Sequence, residues 1–385
     1  MGTGRYLRHS LIDWFSQDDL RASRVAVIGA GAVGNEVLKN LVLLGIGAID
    51  VYDFDRVEIH NLTRSVFLRE SDVGASKAEA VVARASELDP AVELRAIEGD
   101  FWRTLRLSSL AAYRAVVSCV DNFEARLHLN QMCLIVGVDF VNTAIDSRFV
   151  TVEAFPFSSD RMPACYECHL PHSAYQRIAE RYSCGWLRKA AYEERKIPTT
   201  AITASIAGAL ATSAALRLGA TQCRLAQRLF FDTIGGASTV TQLDRQPECA
   251  GCGLFAQRPR VVAAGNDWAR CLSDATGANA ASVDLVLRLS DPLVTAYQCA
   301  SCGDTSRGAA YADRRAADFD DRITRCGACG LGAVRVEIRD ALTADEVVTR
   351  FGSAPPPAKY ALADVGGAWI CLDFEEESGC RMRSS

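Results

Sequence analysis

The chain has 385 residues, enough for one large α/β domain and a smaller one, and its 49% hydrophobic and 23% charged residues are ordinary for a folded protein. A formal net charge of −5, with no Lys/Arg stripe, gives no electrostatic footprint for nucleic acid. The opening MGTGRYLRHSLIDWF lacks a basic segment followed by an apolar one and no run reads as a membrane span, so a soluble cytoplasmic protein is expected.

Taken in order, Val25–Ile28 is a short apolar run ending at Gly29, the pattern of a buried parallel strand. Gly29-Ala30-Gly31-Ala32-Val33-Gly34 follows, and Asn35–Leu44 carries Val37, Leu38, Leu41 and Val42 at helical spacing. A second apolar run, Ala48–Tyr52, ends at Asp53. The pattern then predicts a helix over Lys77–Ser86, a strand over Val92–Ile97 and a strand over Ala115–Val120 that ends at Asp121. Strands alternating with helices predict a Rossmann-like α/β domain built on a doubly wound, mainly parallel sheet. Ligands then belong at the carboxyl ends of the strands, where Gly29, Asp53 and Asp121 sit.

Residues 170–197 are polar and irregular and are expected to form a long crossover segment. A helix from Thr200 to about Leu218 is rich in Ala, Thr and Ser, which suits a buried helix better than a membrane span. Beyond Cys252 the character changes. Val283, Leu285, Leu287 and Leu289 alternate with other residues, as do Val334, Val336 and Ile338, and Thr343 with Glu346 makes a capping box before Val347–Phe351. The expected domains are 1–258 and a smaller β-rich one over 259–385.

Gly29, Gly31 and Gly34 form a G-x-G-x-x-G loop between a strand and a helix, which permits a tight turn and presents a helix N-terminus to phosphate. Asp53 lies where an acid would hold ribose hydroxyls. Both features fit a nicotinamide-dependent oxidoreductase as well as an ATP site. The next residues separate the two: Asp53-Phe54-Asp55-Arg56-Val57-Glu58-Ile59-His60-Asn61-Leu62-Thr63-Arg64, then Gly74-Ala75-Ser76-Lys77. A dinucleotide site has no need of two cations and an amide just beyond its ribose acid. A site that brings a carboxylate to the α-phosphate of a polyanion needs cations to screen repulsion and to hold departing pyrophosphate.

That string resembles the D-x-D-x-V-E-x-x-N-L-x-R motif of ThiF-type adenylyltransferases and ubiquitin-like activating enzymes. Arg5-Tyr6-Leu7-Arg8-His9 is similar to the family's opening segment, and Asp121-Asn122-Phe123-Glu124-Ala125-Arg126 resembles its D-N-x-x-x-R segment. The resemblance covers roughly residues 5 to 252. It implies that Asp53 and Asp55 belong to the ATP site, with Asp53 on the ribose, and that Asn61, Arg64 and Lys77 contact the phosphates. It further implies that Asp121 holds Mg²⁺ and that Arg8 acts as an arginine finger across a homodimer interface. Three positions depart from the family pattern: Ala32 for a usual glycine, Ser65 for glutamine, and Ser118 where many relatives carry a second acid near the metal.

Fifteen cysteines are many for such a chain, and eight form C-x-x-C pairs. In a reducing compartment that spacing favours metal over disulfide. Cys165/Cys168 and Cys249/Cys252 match the family's structural tetrathiolate zinc site. Cys299/Cys302 and Cys326/Cys329, each pair followed by glycine, have zinc-ribbon spacing in their own right and are read as a staple for the C-terminal domain and a protein-docking surface. His169 and His172 follow a zinc pair and are read as surface residues; His60 lies within the nucleotide motif. Cys184 falls in the crossover segment, where related enzymes place an acyl-accepting or sulfur-relay cysteine, and Arg181, Arg188 and Lys189 would favour its thiolate. The alternative is an incidental free thiol, a role that Cys119, Cys133, Cys223 and Cys271 fit better because they lie in or near apolar runs.

The function expected is ATP-dependent adenylation of the C-terminal carboxylate of a ubiquitin-like β-grasp protein ending in glycine. A thioester on Cys184 and transfer to a conjugating-enzyme-like partner follow. Sulfur-carrier adenylation for thiocarboxylate formation, a peptide-modifying adenylyltransferase and a catalytically silent scaffold are the alternatives; Arg64, Lys77 and Asp121 argue against the last.

Overall fold

Val25, Ala26, Val27 and Ile28 are all buried, as a strand covered on both faces requires, and they make β1 (Arg24–Ile28) the middle of a sheet. The computed structural model describes residues 4–14, 16–159, 161–171, 198–219, 225–276, 285–306, 312–316, 325–331, 334–375 and 381–382. Its described residues up to Leu170 and from 198 to Leu254 form one compact unit, and those from Phe255 onward a second.

In the first unit β1, β2 (Ala48–Asp53), β3 (Glu93–Glu98), β4 (Ala115–Ser118) and β5 (Asp139–Ile145) run parallel. Three strands, β6 (Phe149–Phe155), β7 (Gln227–Asp232) and β8 (Ser238–Gln242), extend the sheet antiparallel, in the order β3-β2-β1-β4-β5-β6-β7-β8. The chain winds outward through β2 and β3 and then returns to lay β4 on the other side of β1. The carboxyl ends of β1 and β4 therefore flank a topological switch point.

The helices of this unit are α1 (Gln17–Ala22), α2 (Ala32–Leu44), α3 (Lys77–Ala85), α4 (Phe101–Thr104), α5 (Leu107–Leu110), α6 (Phe123–Val136) and α7 (Ala201–Gly219). Helix α2 begins at Ala32, earlier than the apolar spacing indicates, because the glycine loop itself makes its first turn; it ends at Gly45, in the left-handed region at φ 73°. Strand β4 stops at Ser118, so Asp121 stands on the loop beyond it. The window Ala201–Leu218 is long and apolar enough to cross a membrane (mean hydropathy 1.4), yet Ala207, Ala211, Ala214 and Ala215 are buried with Val37, Leu38, Leu41 and Val42 of α2 in one core. Small residues permit that approach: a Cβ on Gly208 would lie 2.3 Å from Cβ of Glu36.

The second unit is a sheet in the order β11-β10-β12-β13-β9-β14. Its strands are β9 (Arg260–Ala263), β10 (Val286–Cys299), β11 (Val334–Thr343), β12 (Tyr360–Val365), β13 (Ala368–Asp373) and β14 (Arg381–Met382), antiparallel except where β9 joins β13. Helices α8 (Trp268–Thr276) and α9 (Ala344–Phe351) supply Trp268, Leu272 and Val347 to a core with Leu287, Leu289, Ile370 and Leu372. The register of β10 shifts between Arg288 and Leu293, where Pro292 has no N–H to give the ladder. The expected capping box is present: Thr343 Oγ1 accepts from Glu346 N at 3.1 Å and Thr343 N donates to Glu346 Oε2 at 2.8 Å.

Candidate functional site

The glycine loop is clamped from three sides. Gly29 N donates to Tyr52 O at 2.8 Å, and Gly29 adopts φ 96° with Cys119 O so close that a Cβ would sit 2.8 Å from it. A Cβ on Gly34 would lie 1.9 Å from Gly29 O, whereas one on Gly31 would meet nothing within 4 Å. These three glycines thus do different work: two permit backbone contact, and one leaves open space before the N-terminus of α2. Asn35, which sequence reasoning used only as a helix start, is fully buried. Its Nδ2 donates to Ala30 O (2.8 Å) and Gly31 O (3.0 Å), and its Oδ1 accepts from Phe67 N (3.0 Å), tying the loop to the segment after Arg64. A signal for it was at hand: an amide directly after the last glycine of the loop.

Asp53 ends β2 beside that loop. Its Oδ2 accepts from Ala30 N at 2.6 Å and its Oδ1 from Asp55 N at 2.7 Å. Burial pushes its carboxyl above the usual range, against the opposing pull of Lys77 and of those two N–H groups. Lys77 is buried, with Nζ 2.8 Å from Asp55 Oδ2 and its backbone N on Asp55 O at 2.9 Å. The two halves of the sequence motif therefore meet, with an isolated bridge between Arg56 and Ser76 joining them.

Asn61 and Arg64 lie on and just after the short 3₁₀ helix Ile59–Thr63. Asn61 Oδ1 accepts from Glu58 N at 2.9 Å, which engages its acceptor and leaves its NH₂ able to donate. Arg64 Nη1 donates to His60 O at 2.7 Å, using one of five donors of its guanidinium. His60 Nδ1 is 3.0 Å from Glu58 Oε2.

Asp121 is exposed beyond β4, followed by Asn122, whose Oδ1 caps α6 by accepting from Ala125 N at 2.8 Å. Ser118 is fully buried with its Oγ unpaired among the described residues, and Asp121 is an exposed carboxylate beyond this strand end, a hard oxygen donor suited to Mg²⁺. At the N-terminus Tyr6 is buried and its hydroxyl donates to Asp89, while Arg5 Nη1 donates to Leu88 O at 2.6 Å. The Arg8 side chain is exposed and makes no hydrogen bond or ion pair among the described residues, while its carbonyl accepts from Leu11 N at 3.3 Å.

The four thiols of Cys165, Cys168, Cys249 and Cys252 lie within 4.8 Å of one another, with Cys165 Sγ 3.6 Å from Cys249 Sγ and Cys168 Sγ 3.3 Å from Cys252 Sγ. Cys299, Cys302, Cys326 and Cys329 form a second such group, with Sγ separations of 3.7 Å (Cys299–Cys329) and 3.6 Å (Cys302–Cys326). Gly303 and Gly330, at φ 72° and 70°, turn the chain behind each pair. Four converging thiolates repel unless a soft cation sits among them, so each group could bind zinc with no position left open. His169 Nε2 is paired with Asp244 O at 2.8 Å and takes no part.

Cys184, His172 and Cys223 lie outside the described residues. Cys133 and Cys271 are buried, and burial pushes the Cys119 thiol up to about 12, so all three suit packing rather than nucleophilic attack.

A sequence model of the ThiF family matches residues 4–254. The sulfur carrier protein adenylyltransferase of Thermus thermophilus is 29% identical over 245 residues, which is 62% of this chain and 84% of that protein. The SAMP-activating enzyme E1 of Haloferax volcanii is 36% identical over 144 residues, 37% of this chain and 53% of that protein. In fold, the chain is similar to the E. coli MccB structure with ATP, with a TM-score of 0.53 at 22% identity over 66% of this chain and 75% of that one.

Proposed function

The chain belongs to the ThiF family, and on that premise we propose that it is an ATP-dependent adenylyltransferase acting on the C-terminal carboxylate of a small ubiquitin-like protein. The observation that carries this reading is the meeting of Lys77 and Asp55 beside Asp53, at the carboxyl end of β2 and next to the glycine loop. Asp53 would accept the ribose hydroxyls. Lys77 would exchange Asp55 for phosphate oxygen, and Arg64 with the NH₂ of Asn61 would hold the departing pyrophosphate. Asp121 would hold Mg²⁺, which supplies charge neutralisation of the phosphates. Arg8, whose side chain is exposed and unpaired among the described residues, would reach the site of a second copy in a homodimer.

In the reaction the partner's carboxylate oxygen attacks the α-phosphorus, the bond to the β-phosphate oxygen breaks, and pyrophosphate leaves with the electron pair. The Cys184 thiolate would then attack the acyl carbonyl and expel AMP, leaving a thioester for a conjugating enzyme. A second reading, adenylation of a sulfur carrier for thiocarboxylate formation, is favoured by the 84% of the Thermus protein that this chain spans. Both thiolate groups would hold Zn²⁺ as structural ions.

The test is ATP–pyrophosphate exchange with candidate β-grasp proteins ending in glycine, followed by non-reducing detection of a covalent adduct. Exchange that depends on the partner's terminal carboxylate supports the reading. An adduct lost in Cys184→Ala selects the thioester route, exchange without an adduct selects the sulfur-carrier route, and ATP-independent behaviour sinks both.

A further inference from the structure

Helix α6 and its N-cap carry three polar side chains four residues apart, and each fastens a different thing. Asn122 caps the helix directly after Asp121. Arg126 Nη2 donates to Val120 O at 2.9 Å and Thr143 O at 3.0 Å, holding the exit of β4 against β5. Asn130 is fully buried; its Oδ1 accepts from Tyr166 N at 2.9 Å and its Nδ2 donates to Glu167 Oε1 at 3.4 Å. Tyr166 and Glu167 are the two residues between Cys165 and Cys168. A Cβ on Gly251, between Cys249 and Cys252, would lie 2.4 Å from that same Glu167 oxygen, so Glu167 is pressed against both halves of the thiolate group.

Spacing by four puts the three fastenings on one stripe of the helix. From Asn122 to Asn130 the stripe runs about 12 Å at 1.5 Å per residue. A helix this short transmits position as a rod, and a buried amide satisfied at both ends costs more to disturb than a solvated one.

We propose that Asn130 is a positioning residue that couples the Cys165–Cys168–Cys249–Cys252 centre to the Asp121 loop through α6. The loaded centre fixes the Tyr166–Glu167 turn, the turn fixes Asn130, and Arg126 and Asn122 carry that placement to the loop. The kinetic part of this inference rests on the adenylation reading; its metal and backbone parts do not.

The experiment uses the full zinc-loaded chain and three variants: Asn130→Ala, Asn130→Asp, and Asn130→Asp combined with Glu167→Gln. The Asp variant keeps the acceptor for Tyr166 N and sets a carboxylate against Glu167; the double variant restores that pair with donor and acceptor exchanged. Three readouts are taken: zinc release to a chromophoric chelator, amide hydrogen exchange over residues 119–126, and kcat against KM for ATP in pyrophosphate exchange. Both single variants should release zinc faster, on the scale of the about 10–100-fold loss in metal affinity that follows removal of outer-shell partners. They should also raise exchange in the loop and lower kcat with KM for ATP near wild type, and the double variant should recover release and loop exchange together. Unchanged release, or faster release with an unchanged loop, overturns the coupling. Should Asn130→Ala fail to fold, the Asp variant and its rescue decide the matter alone. Should the wild type show no pyrophosphate exchange, the adenylation reading fails, while zinc release and hydrogen exchange still judge the coupling.

Discussion

Gly34→Ala places a methyl 1.9 Å from Gly29 O, about 1.1 Å inside the closest approach that real Cβ atoms show. Gly29 has no retreat: its N–H is held by Tyr52 O and its own back is against Cys119 O. The strain must therefore tilt the Gly29–Ala30 peptide and pull Ala30 N from Asp53 Oδ2. Overpacking of this kind costs about 1–3 kcal/mol, and for a unit of this size each kcal/mol lowers Tm by about 2–4 °C. Misplacing a binding group by about 1 Å costs about 10²-fold in rate. Gly31→Ala is the matched control, since a Cβ there meets nothing within 4 Å and its φ of −73° suits any residue. It should melt like wild type and still weaken ATP binding, because the proposed function puts phosphate in that open space. Thermal unfolding and ATP titration of both variants separate the cases. A Gly34→Ala protein with wild-type Tm and ATP affinity within about twofold would refute the clamp, the rate loss being the expected scale.

Asp50→Ala should destabilise the first unit by about 3 kcal/mol in chemical denaturation, because a buried carboxylate shared by Arg24, Arg95 and Tyr113 is lost, with some discount for the exposed side of Arg95. Lys77→Met should lower pyrophosphate exchange by about 10²-fold or more, while zinc content stays unchanged. Cys165→Ser should lower zinc content by one equivalent and Tm with it, without change at the second thiolate group, as counted by released metal. In the second unit, Arg339 and then Thr343 N hold the Glu346 carboxyl down to about 2. A depressed carboxylate adds stability above its unfolded value that is lost as pH falls through the folded one. Glu346→Gln should therefore flatten the acid limb of the stability curve between about pH 4.5 and 2, read by unfolding across that range.

Much of the geometry of the candidate site was legible in the amino-acid order because its demands are local. Gly29 needs a left-handed φ, Gly34 needs no Cβ, and Asp53 ends an apolar strand; each requirement selects a residue type at a fixed offset. The C-x-x-C turns are local for the same reason, with Gly303 and Gly330 closing the second group. Boundaries were less legible. Helix α2 begins inside the glycine loop, and β4 ends before the apolar run does, because hydrogen bonding rather than hydropathy decides where a ladder stops.

The long-range partners of Asn35 and Asn130 could not be read this way. Each is a buried amide with one partner far along the chain, Phe67 N 32 residues from Asn35 and Tyr166 N 36 residues from Asn130, and an amide in a helical pattern looks the same whether it meets solvent or a distant N–H. The same holds for the antiparallel extension by β6, β7 and β8, since alternation along a strand says nothing of its neighbour. The sequence by itself determined the glycine loop, the acid at the end of β2, the cations beyond it and the thiol pairs, because those are properties of a few consecutive residues. Only the tertiary structure decided that Lys77 answers Asp55 and that α6 joins the thiolate turn to the Asp121 loop. Such pairings are closed by the packing of the whole sheet, and desolvation makes each of them costly to leave unmade.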